Sequence, residues 1–137
     1  TVRDLLVPDG VALIHTIVRY TPPGSTNPWI AKYIFPGGYI PALSEVTAAI
    51  ERAGLLSNDV EIWRLHYAMT LRHWHDRFIA SREAAARLYD ERFVRMWKFY
   101  LVASEQVFRF SGQCVLQVQI SRALATVPLT RDYLYRP

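Results

Sequence analysis

The sequence predicts an α/β fold of about three strands with flanking helices, and three observations point there. Val11 to Val18 is a run of eight apolar or near-apolar residues, the pattern of a strand covered on both faces, as at the centre of a parallel sheet. From Met69 to about Phe110 apolar positions recur at helical spacing, as in amphipathic helices packed on a core. Val115 to Ser121 returns to strand-like alternation.

Taken in order, Val2 to Leu6 reads as the end of a helix, and Pro8, Asp9 and Gly10 as a turn feeding the first strand. On a period of two, Val11, Leu13, His15 and Ile17 share a face. His15 is then a polar group near the carboxyl end of a buried strand, where open α/β sheets place their ligands. Residues 19 to 33 read as irregular, with Pro22, Pro23, Gly24 and the pair Asn27 and Pro28. They lead to IFPGGYIP at 34 to 41. Two adjacent glycines between prolines make a shaped wall of the kind that lines sites. Ser44 is placed to cap a helix whose apolar positions Val46, Ala49, Ile50 and Ala53 follow helical spacing, with Gly54 at its end.

Asn58 and Asp59 read as a turn before a short strand, Val60 to Leu65, with His66 and Tyr67 at its exit. A helix with Leu71, Trp74 and Phe78 on one stripe breaks near Ser81. A second helix carries Tyr89, Phe93, Met96, Trp97, Tyr100, Ser104 and Phe108 and ends at Gly112 before the last strand.

At 137 residues and 51% hydrophobic content the chain suits one domain or part of one. Its start at Thr1 suits an excised segment or a cleaved precursor. The single cysteine, Cys114, excludes an intramolecular disulfide, sits in an apolar run as a buried thiol would, and fits a reducing compartment. No apolar run reaches the roughly 18 residues that span a bilayer. Net charge is +4 with a pI of about 9.5, and only Lys32 and Lys98 among the basic residues are lysine. Such a surface attracts phosphates of lipid or nucleic acid, or is solvated and paired with the acids. The arginines at 72, 77, 82, 87 and 92 recur every five residues, which winds them around a helix. With no nucleic-acid motif, the reading is no nucleic-acid partner. His73 and His75 lie about 200° apart on a helix, so they do not share a metal without another element.

Four motifs in order carry a resemblance: HTI at 15 to 17, PWIAKYIFPGGYIP at 28 to 41, HYAMTLRHW at 66 to 74 and ERFVRMWKFYL at 91 to 101. Together they resemble the carboxyl-terminal part of the cyclopropane-fatty-acyl-phospholipid synthases, the family that includes the mycolic acid cyclopropane synthases. The resemblance covers the chain from about Val11 and leaves residues 124 to 137 as an unmatched tail. It implies the carboxyl-terminal half of a class I, Rossmann-like methyltransferase sheet, with the strands and glycine-rich loop that hold S-adenosylmethionine lying upstream. Residues 1–137 then form the lipid-facing part of a methyltransferase domain.

By resemblance, the activity adds a methylene across the cis double bond of a phospholipid acyl chain to give a cyclopropane. His15, the backbone around Ile17, and Tyr67 would hold a bicarbonate ion that acts as base. Phe35, Ile40, Leu71, Tyr100, Ser104 and Phe108 would line an acyl tunnel, Ser104 standing where relatives carry a cysteine. Read without the family, His15 suits a satisfied core histidine, and the aromatic stripe suits plain core. The implied setting is the cytoplasm, peripheral at the inner face of the membrane. The isolated chain is expected to be inactive and to pair with another copy or with its missing half. The alternative is a stand-alone lipid or fatty-acid binding module without catalysis.

Overall fold

The computed structural model describes residues 1–135; the last two residues of the 124–137 tail lie outside them. Three strands form one sheet in the order β1-β3-β2: β1 is Val11–Arg19, β2 Leu56–Trp63 and β3 Gln113–Ser121. The central strand is β3, antiparallel to both neighbours, with Val11 opposite Ser121 and Arg19 opposite Gln113 on one side, and Trp63 opposite Val115 on the other. This corrects the expectation for the first strand. β1 is neither central nor paired in parallel within the described sheet. Its outer edge meets only an isolated bridge, Arg19 to Ala42.

Helices cover both faces of the sheet. α3 (Leu43–Arg52) brings Ile50 onto Val18, Cys114, Leu116, Val118 and Ile120 on one face. Cys114 is fully buried there. On the other face α4 (His66–Ala80) and α6 (Glu91–Phe110) bring Ala68, Leu71, Leu101 and Phe108 onto Val115 and Ile17. Burying each large apolar side chain is worth roughly 1.5–3 kcal/mol. The continuous apolar run of β1 is thus explained at Ile17 and Val18, which reach opposite cores. Val11, Leu13 and His15, on the face of Ile17, are exposed. His15 stands at the middle of β1, not near its end, and is not buried.

Several local expectations change. A short helix α2, Pro28–Tyr33, replaces the irregular segment, because the Asn27 side chain accepts from the N–H groups of Trp29 and Ile30 and Pro28 suits the first turn. α3 is capped at Ala42 instead of Ser44: the Glu45 carboxylate accepts from the Ala42 N–H at 2.7 Å. Asn58 and Asp59 form no turn, since Asn58 is the extra residue of a bulge inside β2. α4 begins at His66, one α5 (Arg82–Leu88) follows the break at Ser81, and Asp90 accepts from the Phe93 N–H to start α6. A short α1 (Val2–Leu5) precedes β1, and a 3-10 turn, Arg131–Leu134, ends the described chain, tied to the sheet by the ion pair of Arg131 with Asp59 at 2.7 Å.

Candidate active site

The glycine loop is held from two sides. Arg19, the last residue of β1, donates through Nε to the Ile40 carbonyl at 2.9 Å and through its N–H to the Pro41 carbonyl at 2.9 Å. Tyr39 donates to the Glu45 carboxylate of α3. Gly37 has φ of +75°, and a Cβ on Gly38 would stand 2.8 Å from the Cβ of Phe35, so each glycine has its own backbone reason. The loop thereby carries Phe35 to α6, its ring 5.9 Å from that of Tyr100 in an edge-on arrangement.

Behind it lies one apolar cluster that unites five of the expected residues: Ile17, Tyr67, Leu71, Tyr100 and Phe108. Leu71 is fully buried. Tyr67, in the first turn of α4, packs its ring 4.9 Å from Phe108 and 5.7 Å edge-on to Trp74. His15 touches this cluster through Trp63, whose ring it meets edge-on at 6.0 Å. Ile40 is half-buried in the loop. Ser104 stands one turn beyond Tyr100 on the same helix.

Burial pushes the Tyr67 phenol up from its ordinary value. Burial raises Tyr100 too, with the neighbouring Tyr67 adding to the shift and the Ser104 hydroxyl opposing it. Both phenols therefore remain protonated donors at neutral pH. His15 is also set up as a donor. Gln117, its partner across β3, presents Nε2 at 2.9 Å from His15 Nδ1. An amide N–H only donates, so Nδ1 accepts, and in the neutral ring the proton sits on Nε2.

Gln117 and Trp63 were missed in the sequence. Gln117 becomes visible only once the β1–β3 register is known, and Trp63 only once β2 ends there and not two residues later. Of the expected tunnel residues, Leu71, Tyr100 and Phe108 pack together while Phe35 is exposed, and neither of two surface clefts is lined by any of them. One cleft, of about 400 Å³, lies between α2 and α6. The other, of about 250 Å³, opens beside α1 and α3.

A family model described as mycolic acid cyclopropane synthetase matches residues 1–118. The chain belongs to this family. Among curated relatives, the tuberculostearic acid methyltransferase UfaA1 of Mycobacterium tuberculosis is 41% identical over 115 residues, 78% of this chain and 26% of its own length. The cyclopropane-fatty-acyl-phospholipid synthase of Escherichia coli is 35% identical over 119 residues, 87% of this chain and 31% of its own. Among solved structures, the mycolic acid cyclopropane synthase CmaA1 complexed with SAH and CTAB superposes with a TM-score of 0.77 at 28% identity, over 85% of this chain and 46% of that one. The chain thus spans between a quarter and a half of the relatives it matches, and its α/β architecture is that of part of a cyclopropane synthase-type methyltransferase.

Members of the cyclopropane synthase family include proteins named as S-adenosylmethionine-dependent. Among the described residues, the paired glycines Gly37 and Gly38 follow α2, and Gly54 and Gly112 lie just past the ends of α3 and α6; none of these four makes a glycine-rich turn after a strand.

Proposed function

We propose that the protein carrying this chain is an S-adenosylmethionine-dependent methyltransferase that adds a methylene across the cis double bond of a phospholipid acyl chain, working peripherally at the cytoplasmic face of the membrane. Residues 1–137 are the lipid-facing part of its catalytic domain. The observation that carries this reading is the single apolar cluster of Ile17, Tyr67, Leu71, Tyr100 and Phe108, flanked by His15, in a chain of this family.

Methyl addition to an alkene leaves a positive centre on the substrate, which must lose a proton before water reaches it. Leu71, Phe108 and Tyr100 exclude water from that region, and Phe108 and Tyr100 present aromatic faces that favour a cation. His15 through Nε2, the backbone around Ile17, and Tyr67 through its hydroxyl orient a small oxyanion. A bicarbonate bound there supplies the base. Phe35, Ile40 and Ser104 extend the acyl-contacting surface from the loop and from α6. The 137 residues alone neither turn over nor bind S-adenosylmethionine, and they associate with the remainder of the protein or with another copy.

The test is an assay of the full-length protein with methyl-labelled S-adenosylmethionine and vesicles of a monounsaturated phospholipid, followed by mass spectrometry of the released acyl chains. A cyclopropane product supports the reading, and a saturated methyl branch or no labelled acyl chain overturns it. Titration of the full-length protein with a fatty acid separates the second reading, a binding module: tight binding by a protein that never transfers the label would favour the module.

A further inference from the structure

The cleft between α2 and α6 is separate from the cluster described above. Its floor is Trp29 and Tyr33 from α2 with Met96 and Phe99 from α6, and its rim is Arg92 and Arg95. On α6 these four positions, 92, 95, 96 and 99, fall within a single stripe about 100° wide, turned away from the buried positions Val94, Leu101, Glu105 and Phe108. Trp29 packs edge-on against Phe99 with centroids 4.9 Å apart and leans on Tyr33 at 5.7 Å, so the aromatic floor is held together before any ligand arrives.

Two features make this stripe unusual for a solvated helix face. Phe99 is 58% exposed and Tyr33 41% exposed, large aromatic surfaces that water disfavours. Neither Arg92 nor Arg95 forms an ion pair among the described residues, and no carboxylate lines the cleft. Other arginines of the same region are paired: Arg72 and Arg109 with Glu105, Arg82 with Glu91. Lys32 adds charge from α2, its ammonium 5.2 Å from the Tyr33 ring centroid. Two guanidinium forks above an amphipathic aromatic floor match a phosphate diester joined to an apolar body. Trp and Tyr rings favour the level of lipid headgroups, and guanidinium binds phosphate through paired N–H groups. A volume of about 400 Å³ suits a headgroup and the start of its chains.

We propose that the α2–α6 cleft docks the protein on anionic phospholipid, with Arg92 and Arg95 on the phosphate and Trp29, Tyr33 and Phe99 set at the headgroup level. This surface rests on the peripheral-membrane reading above but not on the catalytic step, and its test reads binding without turnover.

The experiment is co-sedimentation of the full-length protein with phosphatidylcholine vesicles, with and without phosphatidylglycerol. Retention on the phosphatidylglycerol vesicles that falls with added salt is expected. Arg92→Gln with Arg95→Gln should weaken partition about 30-fold, from roughly fivefold per charge near a membrane surface. Phe99→Ala should weaken it without changing the salt dependence. Arg77→Gln with Arg87→Gln removes the same charge from exposed positions on α4 and α5 and should change it far less. The proposal is overturned if the wild type sediments with neither vesicle, if it binds neutral vesicles equally well, or if the two double variants lose binding equally.

Discussion

Gln117 Nε2 lies 2.9 Å from His15 Nδ1 across the β1–β3 pair, and with the amide N–H facing the ring this contact favours the neutral tautomer that carries its proton on Nε2. The exposed ring is therefore held by a partner on the sheet and not by burial. Gln117→Glu replaces a donor with an acceptor, so in the neutral ring the proton moves to Nδ1 and Nε2 becomes an acceptor. Ring formation should fall by about 10- to 100-fold, by analogy with the loss of an outer partner that orients a metal-bound histidine. Gln117→Leu, which leaves both tautomers open, should fall less. Nitrogen NMR of the His15 ring, which reads the tautomer without turnover, should show the switch in the Glu variant. An unchanged ring with lost activity would assign Gln117 a different role.

His15→Ala and Tyr67→Phe in the full-length protein should lower product formation while leaving S-adenosylmethionine affinity within about twofold, because the role proposed for both is to orient the oxyanion. Calorimetry with the cofactor and product analysis by mass spectrometry separate the two effects. A folded His15→Ala protein that no longer binds the cofactor would remove the oxyanion role from His15.

How much of this was legible in the sequence follows from which interactions are local. The strand at Val11–Arg19, the α3 stripe of Val46, Ile50 and Ala53, and the break at Ser81 depend on neighbours in the chain, and pattern alone finds them. The order of the strands does not. An apolar run looks the same whether its sheet partner is parallel or antiparallel, so β1 was placed at the centre when β3 occupies it. α2 was legible but unread: Asn27 followed by Pro28 is a cap followed by a first-turn proline. In the site, Tyr67, Leu71, Tyr100 and Phe108 share a cluster because α4 and α6 pack on one sheet face. Gln117 is 102 residues from His15 in the chain, and no spacing rule reaches that far.

The loop makes a stereochemical prediction. Gly37→Ala places a side chain at a φ of +75° with nothing within 4 Å of its Cβ, so its cost is backbone strain alone, about 1–2 kcal/mol. Gly38→Ala adds a Cβ that meets the Phe35 Cβ at 2.8 Å and its carbonyl oxygen at 3.0 Å. That clash moves Phe35 off Tyr100. Chemical denaturation should find Gly37→Ala destabilised with its product profile unchanged, whereas Gly38→Ala should change acyl preference as well. Identical profiles for both would separate Phe35 from substrate contact.

Glu105 is buried, with Arg72 Nε 3.0 Å from one carboxylate oxygen and Arg109 Nε 2.9 Å from the other. The two arginines are partly exposed, so the three charges are unequal in what they lose when unpaired. Removing both arginines as Arg72→Ala with Arg109→Ala strands a buried carboxylate and should cost about 3–5 kcal/mol. Glu105→Gln leaves arginines that water can solvate and should cost less. Urea denaturation of the variants reads the difference, and a costlier Glu105→Gln would show that the carboxylate contributes more than it requires.

The alkaline limb of stability should belong to buried acids on both faces of the sheet. Burial pushes up the Cys114 thiol from an ordinary value of 9.0, and the Tyr67 and Tyr100 phenols from 10.0. In each case the folded chain holds its proton to higher pH than the unfolded chain does. Between the two values the unfolded state binds fewer protons, so stability falls as pH rises. The contribution of these groups is complete below about pH 9 and is lost above it, first through Cys114 and then through the two tyrosines. Melting temperatures measured from pH 7 to 11 should decline at the upper end. Tyr67→Phe with Tyr100→Phe should flatten the part of the decline above pH 10, since phenylalanine has no proton to lose. If that double variant declines as steeply as the parent, the buried phenols of the α4–α6 face are not the groups being ionised.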